Sequence, residues 1–231
     1  MISSARTNQI MLATAIIGVA TIFLFNYYPS LDLDITGNFF LGDGRFTLMN
    51  SPVVETLRTI TLVTYGFWYL TICFGLGIAI SKKSKFLMFS IRDWLYLVLC
   101  SIIGPGILAN VILKEYSGRA RPRSVEEFGA GLDFTHVLNW SEQCSSNCSF
   151  ISGEVSSMVM IFAPLIFICK KYRWALVVAM FVFGSLSALM RIGQGAHFAS
   201  DCIMAAVIMI FTAALLYKIV YSQPSPTAQN K

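Results

Sequence analysis

Charge is what this chain has least of. Only 13% of its 231 residues are Asp, Glu, Lys or Arg, while 56% are hydrophobic; an ordinary soluble domain carries roughly a quarter charged residues. A shortfall of that size, with apolar runs near the ~20 residues that cross a bilayer, excludes a soluble globule and places the chain in a membrane. The length leaves room for one compact bundle and no separate soluble domain, and no internal repeat is visible. The first apolar run also lacks the small residues of a signal-peptide cleavage site. It ends in Asn26-Tyr27-Tyr28-Pro29, so a retained span is expected.

The cations that are present cluster. Lys82, Lys83 and Lys85 form one group, and Lys170, Lys171 and Arg173 another, with the acidic residues mostly elsewhere. Such groups read as cytoplasmic loops, not as nucleic-acid patches, and no nucleic-acid partner is expected. The pattern predicts an all-α fold, a polytopic six-transmembrane-helix bundle forming a single domain over residues 1–231. Its spans cover about 9–28, 57–81, 93–113, 155–169, 174–190 and 202–219. N- and C-termini then lie in the cytoplasm, and segments 29–56, 114–154 and 191–201 share the outer face. Residues 29–50 read equally as an amphipathic segment on the outer leaflet and as a plain connecting loop. Gly104-Pro105-Gly106 predicts a kink in the third span, and the tail 222–231, with Pro224 and Pro226, is expected to be disordered.

Cys73, Cys100, Cys169 and Cys202 lie in or at the ends of apolar runs, where thiols act as small hydrophobes. Cys144 and Cys148 stand instead in a polar stretch. That pair suits a local disulfide in an oxidising compartment, and a metal site there would need further ligands that the stretch lacks.

Three outer segments carry the chemistry. Lys114 to Arg123 brings Lys114, Arg119, Arg121 and Arg123; Phe150 to Glu154 brings Ser152 and Gly153; Arg191 to Asp201 brings His197. On a helix His197 and Asp201 would share a face, so that the carboxylate accepts the Nδ1 proton and leaves Nε2 as a free lone pair. By itself a helix-end ion pair would explain that spacing as well. Arg forks match phosphate oxygens, and Lys adds a point charge, although a basic juxtamembrane stretch is by default a headgroup anchor. Ser152 and Gly153 at a helix start offer free N–H donors to an anion, or simply an ordinary cap. Taken together, cations from two segments and N–H donors from a third suit phosphoryl transfer, whose catalysis consists mainly of positioning and stabilising negative charge.

These residues resemble a known family. Lys114, six residues, then Arg121-Pro122 is similar to the first motif of the type 2 phosphatidic acid phosphatase superfamily, and Arg191, five residues, His197, three residues, Asp201 to its third. The second motif, normally Pro-Ser-Gly-His, reads Ile151-Ser152-Gly153-Glu154. The resemblance implies a metal-independent phosphatase with no cofactor, working through a phosphohistidine. His197 would be the nucleophile and Asp201 its partner. Lys114, Arg121, Arg191, Ser152 and Gly153 would hold the phosphate, with catalytic Glu154 where the family has its leaving-group histidine. Glu154 as a tuned acid, another group such as His136, and a leaving group that needs little protonation all remain open.

The Cys-Ser-Ser-Asn-Cys-Ser-Phe stretch, with Met190-Arg191, Gln194-Gly195 and His197-Phe198, looks like the lipid A phosphatases of Gram-negative bacteria, most of all those acting at the 4′ position. That implies a lipid partner, a bacterial inner-membrane location with the active site facing the periplasm, and a role in resistance to antimicrobial peptides. A lipid A 1-phosphatase, an undecaprenyl diphosphate or phosphatidylglycerol phosphate phosphatase, and a non-enzymatic phospholipid binder or transporter are the other readings.

Overall fold

The computed structural model of the chain describes residues 2–222. The helices are α1 (Ser4–Tyr27), α2 (Ser30–Gly37), α3 (Pro52–Lys82), α4 (Ile91–Ser101), α5 (Lys114–Tyr116), α6 (Gly153–Ile168), α7 (Arg173–Gly193) and α8 (Ala199–Ser222). A small antiparallel hairpin, β1 (Phe40–Gly42) and β2 (Arg45–Phe46), follows α2. α4 and α5 are the two ends of one rod, Ile91–Tyr116, whose middle stretch, Ile102–Leu113, is π-helical. The expected kink at Gly104-Pro105-Gly106 falls at this change of helix type. Pro105 has no N–H to give the ladder, the turns widen, and Asn110 Nδ2 donates to the Pro105 carbonyl at 2.6 Å.

Among the described residues, five helical segments are long and apolar enough to cross a bilayer: α1, α3, the Ile91–Tyr116 rod, α7 and α8. The remaining one of the six expected spans, α6, is the short one. Its 16 residues reach ~24 Å at 1.5 Å per residue, against a hydrocarbon core of ~30 Å. Twelve of the sixteen are buried, so its apolar character fills the protein core and α6 is the central post of the bundle.

Packing around that post is inverted relative to a soluble protein. The buried residues of α1 are Thr7, Thr14, Gly18, Thr21 and Phe25, while Leu12, Ile16, Val19 and Phe23 point outward. In lipid, helices gain nothing by burying leucine, and small residues face neighbours so that backbones approach. A Cβ on Gly18 would lie 3.1 Å from Val207 of α8, and one on Gly75 of α3 only 2.7 Å from the Trp94 ring. Thr14 and Thr21 donate to the carbonyls of Ile10 and Ile17, each at 2.8 Å, so neither of these two hydroxyls is left bare.

The bundle has two unlike ends. At one, Lys218 of α8 meets Asn8 of α1 at 3.0 Å, Tyr221 donates to Asp93, and Lys82, Lys83, Lys85, Lys170 and Lys171 are exposed. At the other, residues 28–51, 117–152 and 194–198 stack into a cap. Segment 29–50 is part of that cap and follows neither sequence reading. Asp32 and Thr36 of α2 are buried, Phe46 packs with Val125, Phe128 and Phe198, and the Leu48 amide donates to the Gly193 carbonyl at 3.0 Å. In the tail, Ser222 closes α8, and 223–231 lies outside the described residues.

Candidate active site

The nucleophile candidate sits in a turn that glycine permits. α7 ends at Gly193, and the Ala196 and Gly195 amides donate back to Arg191 and Ile192 at 3.0 and 2.8 Å. Gly195 has φ +61, and a Cβ there would lie 2.5 Å from the Phe46 ring, so only glycine fits. The turn places His197, 1% exposed, just before α8. Its Nδ1 is 2.6 Å from the Ser149 carbonyl oxygen. A carbonyl only accepts, so Nδ1 carries the proton and Nε2 keeps its lone pair.

Asp201 does not make the direct hydrogen bond expected of it, because Nδ1 and Oδ2 are 3.9 Å apart. The reason is local: His197 precedes the first residue of α8, so the one-turn helical spacing does not apply. Asp201 instead accepts from the Phe198 amide (2.9 Å), the Ser149 hydroxyl (2.5 Å) and Arg119 Nη1 (2.5 Å). It therefore reaches His197 at one remove, by fixing the residue whose carbonyl holds the ring.

Two residues behind Asp201, Arg119 and Asp32, were given no individual role from the sequence. Arg119, 1% exposed, donates from Nη1 to Ser200 Oγ (2.8 Å) as well as to Asp201, from Nη2 to Asp32 Oδ2 (2.8 Å), and from Nε to the Thr135 carbonyl (2.9 Å). Its guanidinium also lies 4.5 Å from the centre of the Phe198 ring. Asp32, equally buried, accepts from the Ser200 amide at 2.9 Å and the Ser200 hydroxyl at 2.5 Å, so it also caps α8. Burial opposes the charge of Arg119, but Asp201 and Asp32 outweigh it and hold the guanidinium above its ordinary value.

The phosphate-holding candidates face this network. Lys114 lies where the rod ends, and the backbone of Gly153 comes so close that a Cβ would be 3.1 Å from Lys114 Nζ and 2.9 Å from Asn110 Oδ1. Ser152 is the N-cap residue of α6, yet its hydroxyl is buried without a hydrogen-bond partner in the protein and caps nothing. The first amides of α6 are thus unblocked by a cap. Arg121, half-buried, is held by the Asn147 carbonyl (2.7 Å) and side-chain oxygen (2.9 Å). Asn147 sits in the small loop closed by the Cys144–Cys148 disulfide, with Cα atoms 5.6 Å apart. Arg191 donates from Nη1 to Gln194 Oε1 at 2.6 Å, and its buried Nε has no hydrogen-bond partner.

Glu154 Oε1 accepts from Arg58 Nε of α3 at 2.9 Å and lies 3.6 Å from Arg191 Nε, while its buried Oε2 has no partner. Arg58 is a third residue that spacing did not single out. The ring of His136 packs on Phe134, and among the described residues no hydrogen bond joins it to His197 or Glu154.

The electrostatics suit an anion. Burial, then the charges of Arg191, Arg121 and Lys114, push His197 well below the usual histidine value. Burial, then Arg123 and Arg191, push Arg121 down to about 10. Crowded cations repel one another until an anion relieves them. A neutral imidazole with a free Nε2, beside three cations and an uncapped helix start, is equipped to attack a tetrahedral anion and stabilise the charge that develops.

Residues 94–224 match the family model described as the PAP2 superfamily. A lipid A 4′-phosphatase of Rhizobium etli is 31% identical over 224 residues, covering 88% of this chain and 84% of the relative. One from Rhizobium leguminosarum is 28% identical, covering 88% and 93%, and one from Francisella tularensis subsp. novicida is 30% identical, covering 92% and 96%. Among solved structures, a transmembrane PAP2 type phosphatidylglycerolphosphate phosphatase from Bacillus subtilis is similar in fold. Its TM-score is 0.56 at 17% identity, over 95% of this chain and 98% of that one.

Proposed function

We propose that this chain, which belongs to the PAP2 superfamily, removes the 4′-phosphate of lipid A through a phosphohistidine at His197. The observation that carries the chemistry is one juxtaposition. His197 is held with Nε2 as its free lone pair, and it lies in the field of Arg191, Arg121 and Lys114. The substrate reading rests on the relatives named above, and it needs only a lipid phosphate monoester presented at the membrane surface.

The phosphate seats on Lys114, Arg121 and Arg191, with the Ser152 hydroxyl and the Gly153 amide as further donors. His197 Nε2 attacks phosphorus, and the bond to the sugar oxygen breaks. The ring becomes cationic, and the Ser149 carbonyl, with Asp201 behind its hydroxyl, takes up that charge. Glu154 Oε2 receives the proton that a phosphate monoester brings as its monoanion and passes it to the leaving oxygen. Water then attacks the phosphohistidine while Glu154 accepts its proton, the bond from phosphorus to Nε2 breaks, His197 returns to its neutral form, and Glu154 gives the proton to the departing inorganic phosphate. The site faces the periplasm and the termini the cytoplasm, a sidedness supported by the exposed lysines at the opposite end of the bundle.

Mass analysis of bisphosphorylated lipid A incubated with the purified protein tests this reading. Loss of the 4′-phosphate with the 1-phosphate retained is expected, along with inhibition by vanadate and none by chelators. Release from position 1, or only from undecaprenyl diphosphate or phosphatidylglycerol phosphate, would replace the substrate. Equal release by His197→Ala would remove the nucleophile. A deletion strain should carry one more phosphate on its lipid A and be more sensitive to cationic peptides.

A further inference from the structure

Glu154 stands where the family pattern has histidine, and a carboxylate among phosphate-binding cations competes with the phosphate for them. Arg191 is the nearest of these. Its buried, unpartnered Nε is 3.6 Å from Glu154 Oε1, just beyond hydrogen-bonding range. The same oxygen is held at 2.9 Å by Arg58 Nε. Arg58 is in turn fixed through Nη1 by Glu55 Oε1, also at 2.9 Å. Two further bonds pin α3 against α6 along the same line: Tyr65 donates to the Glu154 carbonyl at 2.8 Å, and Tyr69 to Ser157 Oγ at 3.2 Å. Arg58 lies outside the 94–224 family match.

We propose that Arg58 is a positioning residue of the phosphate site: by holding Glu154 Oε1 it keeps that carboxylate off Arg191, whose Nε stays open for the phosphate. The inference rests on the reading of Arg191 as a phosphate ligand. Glu154 and Arg191 are already an ion pair at 3.6 Å without a hydrogen bond; without Arg58, Glu154 closes that gap to a hydrogen bond, which an arriving anion must break before it can bind. With a neutral side chain at position 154 there is nothing to hold off, and Arg58 becomes dispensable for anion binding. A direct phosphate ligand would be needed in either case.

Vanadate binding by the purified protein in detergent, followed by thermal shift, reads the phosphate site whatever the lipid substrate proves to be. Arg58→Gln should weaken binding about tenfold, and Arg58→Lys should recover most of the loss. Adding Arg58→Gln to Glu154→Gln should change affinity by less than about threefold, the non-additivity of a coupled pair. The Arg58 side chain is 32% exposed, so the unliganded melting temperature should move little. If the second substitution costs as much in the Glu154→Gln background as in wild type, Arg58 acts on the anion by itself and the proposal is overturned. Unchanged binding in Arg58→Gln overturns it too. Wild-type protein that fails to bind vanadate sinks the phosphate-site reading first, and this inference with it.

Discussion

Around His197 the polar groups satisfy one another, whereas around Glu154 they do not. On the side of the proposed nucleophile, Asp32, Arg119, Ser200, Asp201 and Ser149 form an unbroken chain of hydrogen bonds, none of them more than 1% exposed. On the anion side, Ser152 Oγ, Arg191 Nε and Glu154 Oε2 are buried with no hydrogen-bond partner among the described residues. Buried polar groups are nearly always paired, and these three, out of nine unpartnered side-chain atoms among the described residues, lie together on the candidate phosphate site, where a ligand would pair them. The contrast separates two tasks. An attacking atom must be held still, which a closed network does well, while a binding surface must keep donors uncommitted until the anion arrives.

Four substitutions or measurements would break or sharpen that contrast. The largest effect is expected from Asp201→Asn. An amide cannot replace a carboxylate that accepts from Arg119, Ser149 and the Phe198 amide together, and phosphate release should fall by roughly three orders of magnitude. The loss should appear in kcat, with little change in KM; a loss confined to KM would move Asp201 to the binding side. Next is Asp32→Ala, which leaves buried Arg119 with one carboxylate in place of two. It should destabilise the fold by about 3 kcal/mol, read as a drop in melting temperature, although Asp32 touches none of the unpartnered atoms. An unchanged melting temperature would show that the network does not need its outer member.

Gly153→Ala probes the open side. Its methyl would meet Lys114 Nζ and Asn110 Oδ1 at 3.1 and 2.9 Å, so KM should rise about tenfold, a displaced phosphate contact costing about 1.4 kcal/mol. Wild-type kinetics in this variant would argue against phosphate approaching the start of α6. The smallest change is expected from pH. His197 is held well below its ordinary value by burial and by the three cations, so it gains a proton only as pH falls through that depressed value. Its ring nitrogen shifts, in a protein with one other histidine, should not titrate as pH is lowered from 7 through 6.5, where an ordinary histidine is half protonated. A midpoint near 6.5 would show an uncrowded, solvated imidazole.

Much of this molecule was legible before its structure. Apolar runs located α1, α3, the α4–α5 rod, α7 and α8, and motif spacing picked out Lys114, Arg121, Ser152, Gly153, Arg191, His197 and Asp201. Charge and turn residues are local properties, which is why they were readable. α6 was expected as a span like the others, and the sequence could not show that protein encloses it, twelve of its sixteen residues being buried, because an apolar helix reads alike whether lipid or protein surrounds it. Segment 29–50 left two readings open and proved to be neither, since the burial of Asp32 depends on Arg119 and Ser200, far away in the chain. Arg58 escaped for the same reason: its partner Glu154 lies on another helix.

By itself, then, the sequence determined that the chain crosses a membrane, which residues are the candidates for its chemistry, and which family it belongs to. Hydropathy and motif spacing are written in consecutive residues. Only the tertiary structure decided how those residues are held. It set His197 against the Ser149 carbonyl with Asp201 behind it, closed Asp32 and Arg119 into one buried network, and set Arg58 on the Glu154 oxygen that faces Arg191. The physical reason is that a buried charge must find its partner wherever the fold brings one, and that pairing has no period along the chain.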